Sequence, residues 1–201
     1  WFNAHKTGDK MVYTHIEQSL ERLRTHIATN GPYDGLLGFS QGGSLAHLYC
    51  LLAASGKPGY VLPKFLVLIS CRASRHFEHD SIVAAAKASK LPTPTLVFYC
   101  AKDDHVSTDE TKNVVTTLGN CTEVFDAAGT SHRVPNLPPL HTAKVKEFLA
   151  CVRRGDLAPT SVGVPPAAAG ASTASAQETP ARSWQQAPVP KPAPTQAAAA
   201  P

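Results

Sequence analysis

The segment Gly38-Phe39-Ser40-Gln41-Gly42 places a serine between two glycines at the end of a short apolar run. A serine hydroxyl is a poor nucleophile, so chemistry on it needs exposure, a neighbouring base and hydrogen-bond donors for the oxyanion. Gly-x-Ser-x-Gly meets the first need with a strand-to-helix turn that forces the serine into a strained backbone conformation. Gly38 and Gly42 are expected to be glycine because a side chain at either would collide with neighbouring backbone. The helix starting behind Ser40 would aim its N-terminal N–H groups at the site, with the Gln41 N–H as the oxyanion donor. The competing identity, a glycine-rich nucleotide-binding turn, lacks the P-loop lysine, and Gly-x-Gly-x-x-Gly does not occur in the chain.

An elbow of this kind is accompanied, in chain order, by an acid and then a histidine, each following a strand. Asp103 and Asp104 follow the apolar run that ends near Cys100, and either can be the acid while the other caps the next helix. His132 follows the run that ends near Asp126, in the loop opened by Ala127-Ala128-Gly129. As base, His132 would take the Ser40 proton and return it to the leaving group, while the acid fixes the imidazole tautomer. Of the nine histidines, His5, His15, His26, His76, His79 and His141 are expected on the surface, and His47 and His105 in packing or rim positions.

The elements needed to hold these groups are legible as an alternation of helical and strand periods between Val12 and Arg154, the pattern of a parallel sheet with crossover helices. Helices are expected from about Ile16 to Ile27, Gln41 to Ser55, Ser81 to Ser89, Thr108 to Leu118 and Leu140 to Val152. Strands are expected at Gly35–Phe39, Phe65–Ser70, Thr95–Tyr99 and Thr122–Asp126, with the first buried on both faces. The chain enters a polar stretch, Asn3 to Lys10, with no strand before it, and four strands are expected in all.

The 201 residues, 43% of them hydrophobic, are enough for one domain with a core. A net charge of +4 with no basic run or aromatic-interleaved stripe argues against nucleic acid as a partner. The five cysteines form no Cys-x-x-Cys pair, so neither a disulfide framework nor a metal site is expected, and no cofactor is called for. No stretch approaches the roughly eighteen apolar residues of a membrane span. A cytoplasmic location is therefore expected, with an organellar address left open by a chain that begins at Trp1. Residues 155–201 hold nine of the 17 prolines among Ala, Ser, Thr and Gln, and are expected to be a disordered tail after a domain spanning 1–154.

Three segments together resemble the FSH family of serine hydrolases, of the α/β-hydrolase superfamily: Gly31-Pro32-Tyr33-Asp34-Gly35-Leu36-Leu37-Gly38-Phe39-Ser40-Gln41-Gly42-Gly43; Pro94-Thr95-Leu96-Val97-Phe98-Tyr99 followed by Asp103 and Val106; and His132-Arg133-Val134-Pro135. The resemblance covers about Trp1 to Val152. It implies a three-layer α/β-hydrolase-like fold with a mostly parallel sheet, and a small-molecule carboxylic ester or thioester as substrate. Aligned without gaps, it places the family's acid on Asp103. Cys100 and Ser107 stand where members usually have glycine and proline. Members also begin with a strand and a His-Gly loop upstream of the residues seen here, which supply the second oxyanion donor. The chain is accordingly expected to be truncated at its N-terminus and poorly active alone, since one lost oxyanion donor lowers turnover by roughly 10²–10³. A non-catalytic hydrolase-like interaction module, and a serine peptidase, are the alternatives.

Overall fold

The computed structural model describes residues 1–134 and 139–156. Pro135 of the His-x-Val-Pro segment and the Ala/Pro-rich segment from 157 onward lie outside them. The four expected strands are present as β3 (Gly35–Phe39), β4 (Phe65–Ile69), β5 (Thr95–Cys100) and β6 (Cys121–Asp126), after a hairpin of β1 (Asn3–Thr7) and β2 (Lys10–Thr14). Five helices accompany them: α1 (Ile16–Asn30), α2 (Gln41–Ala54), α3 (Asp80–Ser89), α4 (Thr108–Val115) and α5 (Pro139–Arg154).

Strands β3 to β6 form one sheet in the order β3-β4-β5-β6, every pair parallel. Strand alternation divides the apolar side chains between two cores. Leu66 and Leu68 of β4 and Val97 and Tyr99 of β5 face the side covered by α1, α2, α3 and α4, through Ile16, Leu20, Leu45, Val83 and Val114. Val67, Ile69, Leu96 and Phe98 face the other side, where α5 lays Val145, Phe148 and Val152 against them. Every residue of β5 is buried, which is why it reads as a continuous apolar run.

Two expectations about the N-terminal third need correction. β3 is not buried on both faces: it pairs only with β4 among the described residues, and Leu37 is 69% exposed because the α5 layer packs against β4 to β6. The four expected strands are also joined by two more, because β1 pairs antiparallel with β2 around Gly8-Asp9, with Gly8 at φ 60. All five β1 side chains are exposed, so no apolar alternation marks the strand; the Gly-Asp turn between two extended runs was the available signal. Phe2 and Tyr13 anchor this hairpin to the core with stacked rings 4.6 Å apart.

All four parallel strands end on the same side of the sheet. The segments after β3, β5 and β6, which carry Ser40, Asp103 and His132, therefore leave from one edge, where open α/β sheets hold their ligands.

Candidate active site

Ser40 joins β3 to α2 with φ 53 and ψ −122, a conformation that side-chain-bearing residues rarely adopt. The strain is held by the surroundings: the Ser40 N–H donates to the carbonyl of Ile69 at 2.9 Å, and its carbonyl accepts from the Ser44 N–H at 3.0 Å. Behind it α2 is buried from Gly43 to Leu51. Gln41 is the first residue of α2, so its N–H is among those left without an intrahelical acceptor. The Gln41 side chain faces the hairpin, donating through Nε2 to the Phe2 carbonyl at 2.7 Å.

The glycine requirement differs in part from the expected pattern. A Cβ on Gly38 would stand 2.5 Å from the carbonyl oxygen of Gly42 and 2.5 Å from the Gly43 Cα, so residue 38 has no room for a side chain. At Gly42 the nearest atom to an added Cβ is a Trp1 ring carbon at 4.0 Å. The second crowded position is Gly43, where a Cβ would meet Cys71 Cβ at 2.7 Å and the Gly38 carbonyl at 3.0 Å. The elbow is closed by the approach of α2 to β4, which the sequence spacing around Ser40 does not display.

Asp103 and His132 meet. The imidazole Nδ1 lies 3.0 Å from Asp103 Oδ1 and 2.9 Å from Oδ2, with the Asp103 side chain 2% exposed. Asp103 Oδ1 also accepts from the backbone N–H groups of His105 and Val106 at 2.9 and 2.8 Å. Burial opposes ionisation of this carboxyl, but the hydrogen bonds from His132, Val106, His105 and Ser70 outweigh it and hold it below its ordinary range. The ionised Asp103 thus accepts the Nδ1 proton, which places the ring's lone pair on Nε2. The His132 ring lies 4.7 Å from that of Phe39, the residue before Ser40.

Asp104 occupies a different position. It is 65% exposed, pairs with His105 Nδ1 at 3.1 Å, and accepts from the backbone N–H of His132 at 3.0 Å. It fixes the histidine's main chain and does not touch its ring nitrogens. His105 stacks on His132 at 4.9 Å. Asp103, Asp104 and His105 bring ligand atoms within 4.8 Å of one another. Asp103 spends both oxygens on His132 and on backbone N–H groups, and Asp104 spends Oδ1 on the His132 N–H and the His105 ring, so the three form a hydrogen-bond ladder around His132.

The two family-position departures have visible roles. Ser107 is the N-cap of α4, accepting from the Glu110 N–H while Glu110 bonds back to the Ser107 N–H, a capping box. The Cys100 thiol packs under the loop before His132, 3.7 Å from the Ser131 carbonyl. Cys71, beside the elbow, is no rival nucleophile, because burial pushes its thiol up to about 12. His76 and His79, expected on the surface, are buried: the 3-10 turn Phe77–His79 folds them inward, and His79 Nδ1 lies 2.8 Å from Ser74 Oγ.

Two site residues, Phe2 and Tyr13, escaped the sequence. Phe2, Tyr13, Arg72 and Arg75 line a cavity that also contains Ser40, Gln41 and His105. The arginines follow β4 in a loop with no periodicity, and the aromatics come from the hairpin.

A parallel sheet with helices on both faces, a strained serine at the strand-to-helix elbow and an acid–histidine pair on later strand-end loops define an α/β-hydrolase. The chain belongs to the serine hydrolase family FSH1, whose profile matches residues 1–143. It is 31% identical to the esterase OVCA2 of Homo sapiens over 154 residues, covering 73% of this chain and 65% of that one. It is 28% identical to the esterase OVCA2 of Bos taurus over 131 residues, covering 65% and 56%. The chain thus spans less than two thirds of the length of these curated relatives. The fold is shared with the solved acyl-protein thioesterase 2 of Zea mays, at a TM-score of 0.50 and 19% identity over 76% of this chain and 71% of that one. No helix among the described residues is long and apolar enough to cross a membrane.

Proposed function

We propose that the protein hydrolyses carboxylic esters or thioesters of small molecules through an acyl-enzyme on Ser40, with His132 as base and Asp103 as the acid that orients it. The observation that carries this reading is the strained Ser40 elbow at the same sheet edge as a His132 Nδ1 bonded to a buried, ionised Asp103. In the forward step the Ser40 hydroxyl attacks the acyl carbon as Nε2 of His132 takes its proton, and the oxyanion receives the Gln41 N–H. Collapse expels the alcohol or thiol with the proton from His132, and water reverses the sequence on the acyl-enzyme. The esterase names of the relatives favour esters; comparing oxygen and sulfur esters of one acyl group decides between them.

The test is covalent labelling of the full-length protein with a fluorophosphonate probe. Labelling is expected on Ser40 and lost in Ser40→Ala, with ester hydrolysis lost in parallel. A wild-type protein that neither labels nor hydrolyses would favour an interaction module instead.

A further inference from the structure

The cavity beside Ser40, about 210 Å³, has two unlike walls. One is the stacked pair Phe2 and Tyr13. The other includes two arginines, Arg72 and Arg75, and none of the residues lining the cavity is acidic. A single carboxylate stands behind both arginines: Glu110 Oε1 lies 2.9 Å from Arg72 Nη1 and 3.6 Å from Arg75 Nη1. Two positive charges against one negative leave a surplus positive charge at the cavity wall. Asp103 and Asp104 bond to His132 and His105 and do not line the cavity.

The two arginines differ in how far they are committed. Arg72 is held on three sides: its N–H reaches Ser44 Oγ, Nη1 reaches Glu110, and Nη2 donates to the His105 carbonyl. It acts as a clamp between the loop after β4 and the loop after β5. Arg75 has its main chain fixed by donation to the Tyr13 hydroxyl at 3.0 Å, but among the described residues its guanidinium has only the long contact to Glu110, and its side chain is 47% exposed. A clamp alone needs no second guanidinium. An anchored backbone carrying an underused planar donor at the wall of a reactive cavity is the arrangement that recognises an anion.

We propose that Arg75, backed by Arg72, binds a carboxylate or comparable anionic group carried by the substrate. This makes the substrate class an anionic ester or thioester, such as a half-ester of a dicarboxylic acid. The inference rests on the proposed Ser40 chemistry and adds a specificity determinant to it.

The test uses two matched pairs of esters with the full-length protein: phenyl hydrogen glutarate against phenyl pentanoate, with the charge on the acyl side, and 4-carboxyphenyl butanoate against phenyl butanoate, with it on the leaving group. One anionic ester is expected to exceed its neutral partner in kcat/KM by about ten-fold, the scale of one charge-assisted hydrogen bond. The pair that shows the effect identifies which side of the scissile bond the arginine faces. Arg75→Gln should bring that ratio to near one, and Glu110→Gln, which still satisfies a capping box, should raise it by freeing the arginines. Free glutarate should also slow fluorophosphonate labelling of Ser40 more in the wild type than in Arg75→Gln. Ratios near one in the wild type, or a preference that survives Arg75→Gln, overturn anion recognition while leaving the hydrolase reading intact. Absence of both labelling and hydrolysis of every ester defeats the hydrolase reading and this inference with it.

Discussion

His132 is bonded to two consecutive aspartates in two different ways: its ring Nδ1 lies 2.9 Å from Asp103 Oδ2, while its backbone N–H donates to Asp104 Oδ1 at 3.0 Å. One contact sets the tautomer of the imidazole and the other sets only the position of its main chain. Asp103→Asn is therefore expected to lower kcat by roughly 10⁴ because an amide can present its NH₂ to Nδ1 and favour the wrong tautomer. Asp104→Asn keeps an oxygen acceptor for the His132 N–H and should lower kcat less than about ten-fold, since an exposed neutral hydrogen bond contributes about 1 kcal/mol. Steady-state ester hydrolysis by the two variants checks the ranking, and an equal loss in both would reject Asp103 as the sole acid.

The sequence made the central sheet legible because its strands are either wholly apolar, as in β5, or end at a motif whose turn is stereochemically specific, as β3 does at Ser40. Chain order pointed to Asp103 or Asp104 together with His132, and the family resemblance selected Asp103, the one whose carboxylate meets the His132 ring. What could not be read depends on tertiary approach. β1 shows no alternation because no face of it is buried, and the crowding at Gly43 comes from Cys71, 28 positions away in the chain. His76 and His79 look like any polar loop residues until the Phe77–His79 turn folds them inward, His76 against Tyr13, and the pairing of Arg72 and Arg75 with Glu110 joins the loop after β4 to the first turn of α4.

His47, fully buried on α2 with Nε2 2.8 Å from Thr117 Oγ1, has its pKa lowered to about 4 by burial. The folded protein keeps this ring neutral, whereas the unfolded chain takes up a proton below about 6.5. Its stabilising contribution is complete above that pH and declines as the pH falls toward 4, by up to about 1.4 kcal/mol per pH unit. His79, also lowered to about 4 with burial as the main cause, acts in the same direction. Urea midpoints should fall between pH 7 and 5, and His47→Gln should flatten the dependence by about one proton, as read from the slope of stability against pH. A dependence unchanged in that variant would remove His47 from the account.

Ser107 caps α4 just after the loop that holds Asp103, so its loss acts on the helix and not on the acid's own hydrogen bonds. Ser107→Ala is expected to lower stability by about 1 kcal/mol. Ser107→Asp should retain most of it, since a carboxylate accepts from the same N–H groups and suits a helix N-terminus. Thermal melting distinguishes the two; equal melting temperatures in all three proteins would mean that the cap contributes nothing.

The elbow glycines give a ranking that separates steric need from motif membership. Gly38→Ala must displace the backbone of Gly42 and Gly43 from 2.5 Å contacts, and neither can move without shifting the start of α2 behind Ser40. It should be the most damaging of the three, lowering stability by more than about 3 kcal/mol, beyond ordinary overpacking. Gly43→Ala pushes a methyl against Cys71 Cβ and the Gly38 carbonyl, and should cost about 1–3 kcal/mol as the helix moves away from β4. Gly42→Ala meets only the Trp1 ring at ordinary contact distance and lies in the first turn of α2, where alanine is favoured over glycine by up to about 1 kcal/mol. Its melting temperature should be unchanged or raised. Any loss of Ser40 labelling in that variant would then come from crowding of the bound substrate, because an alanine at position 42 leaves the elbow itself undisturbed.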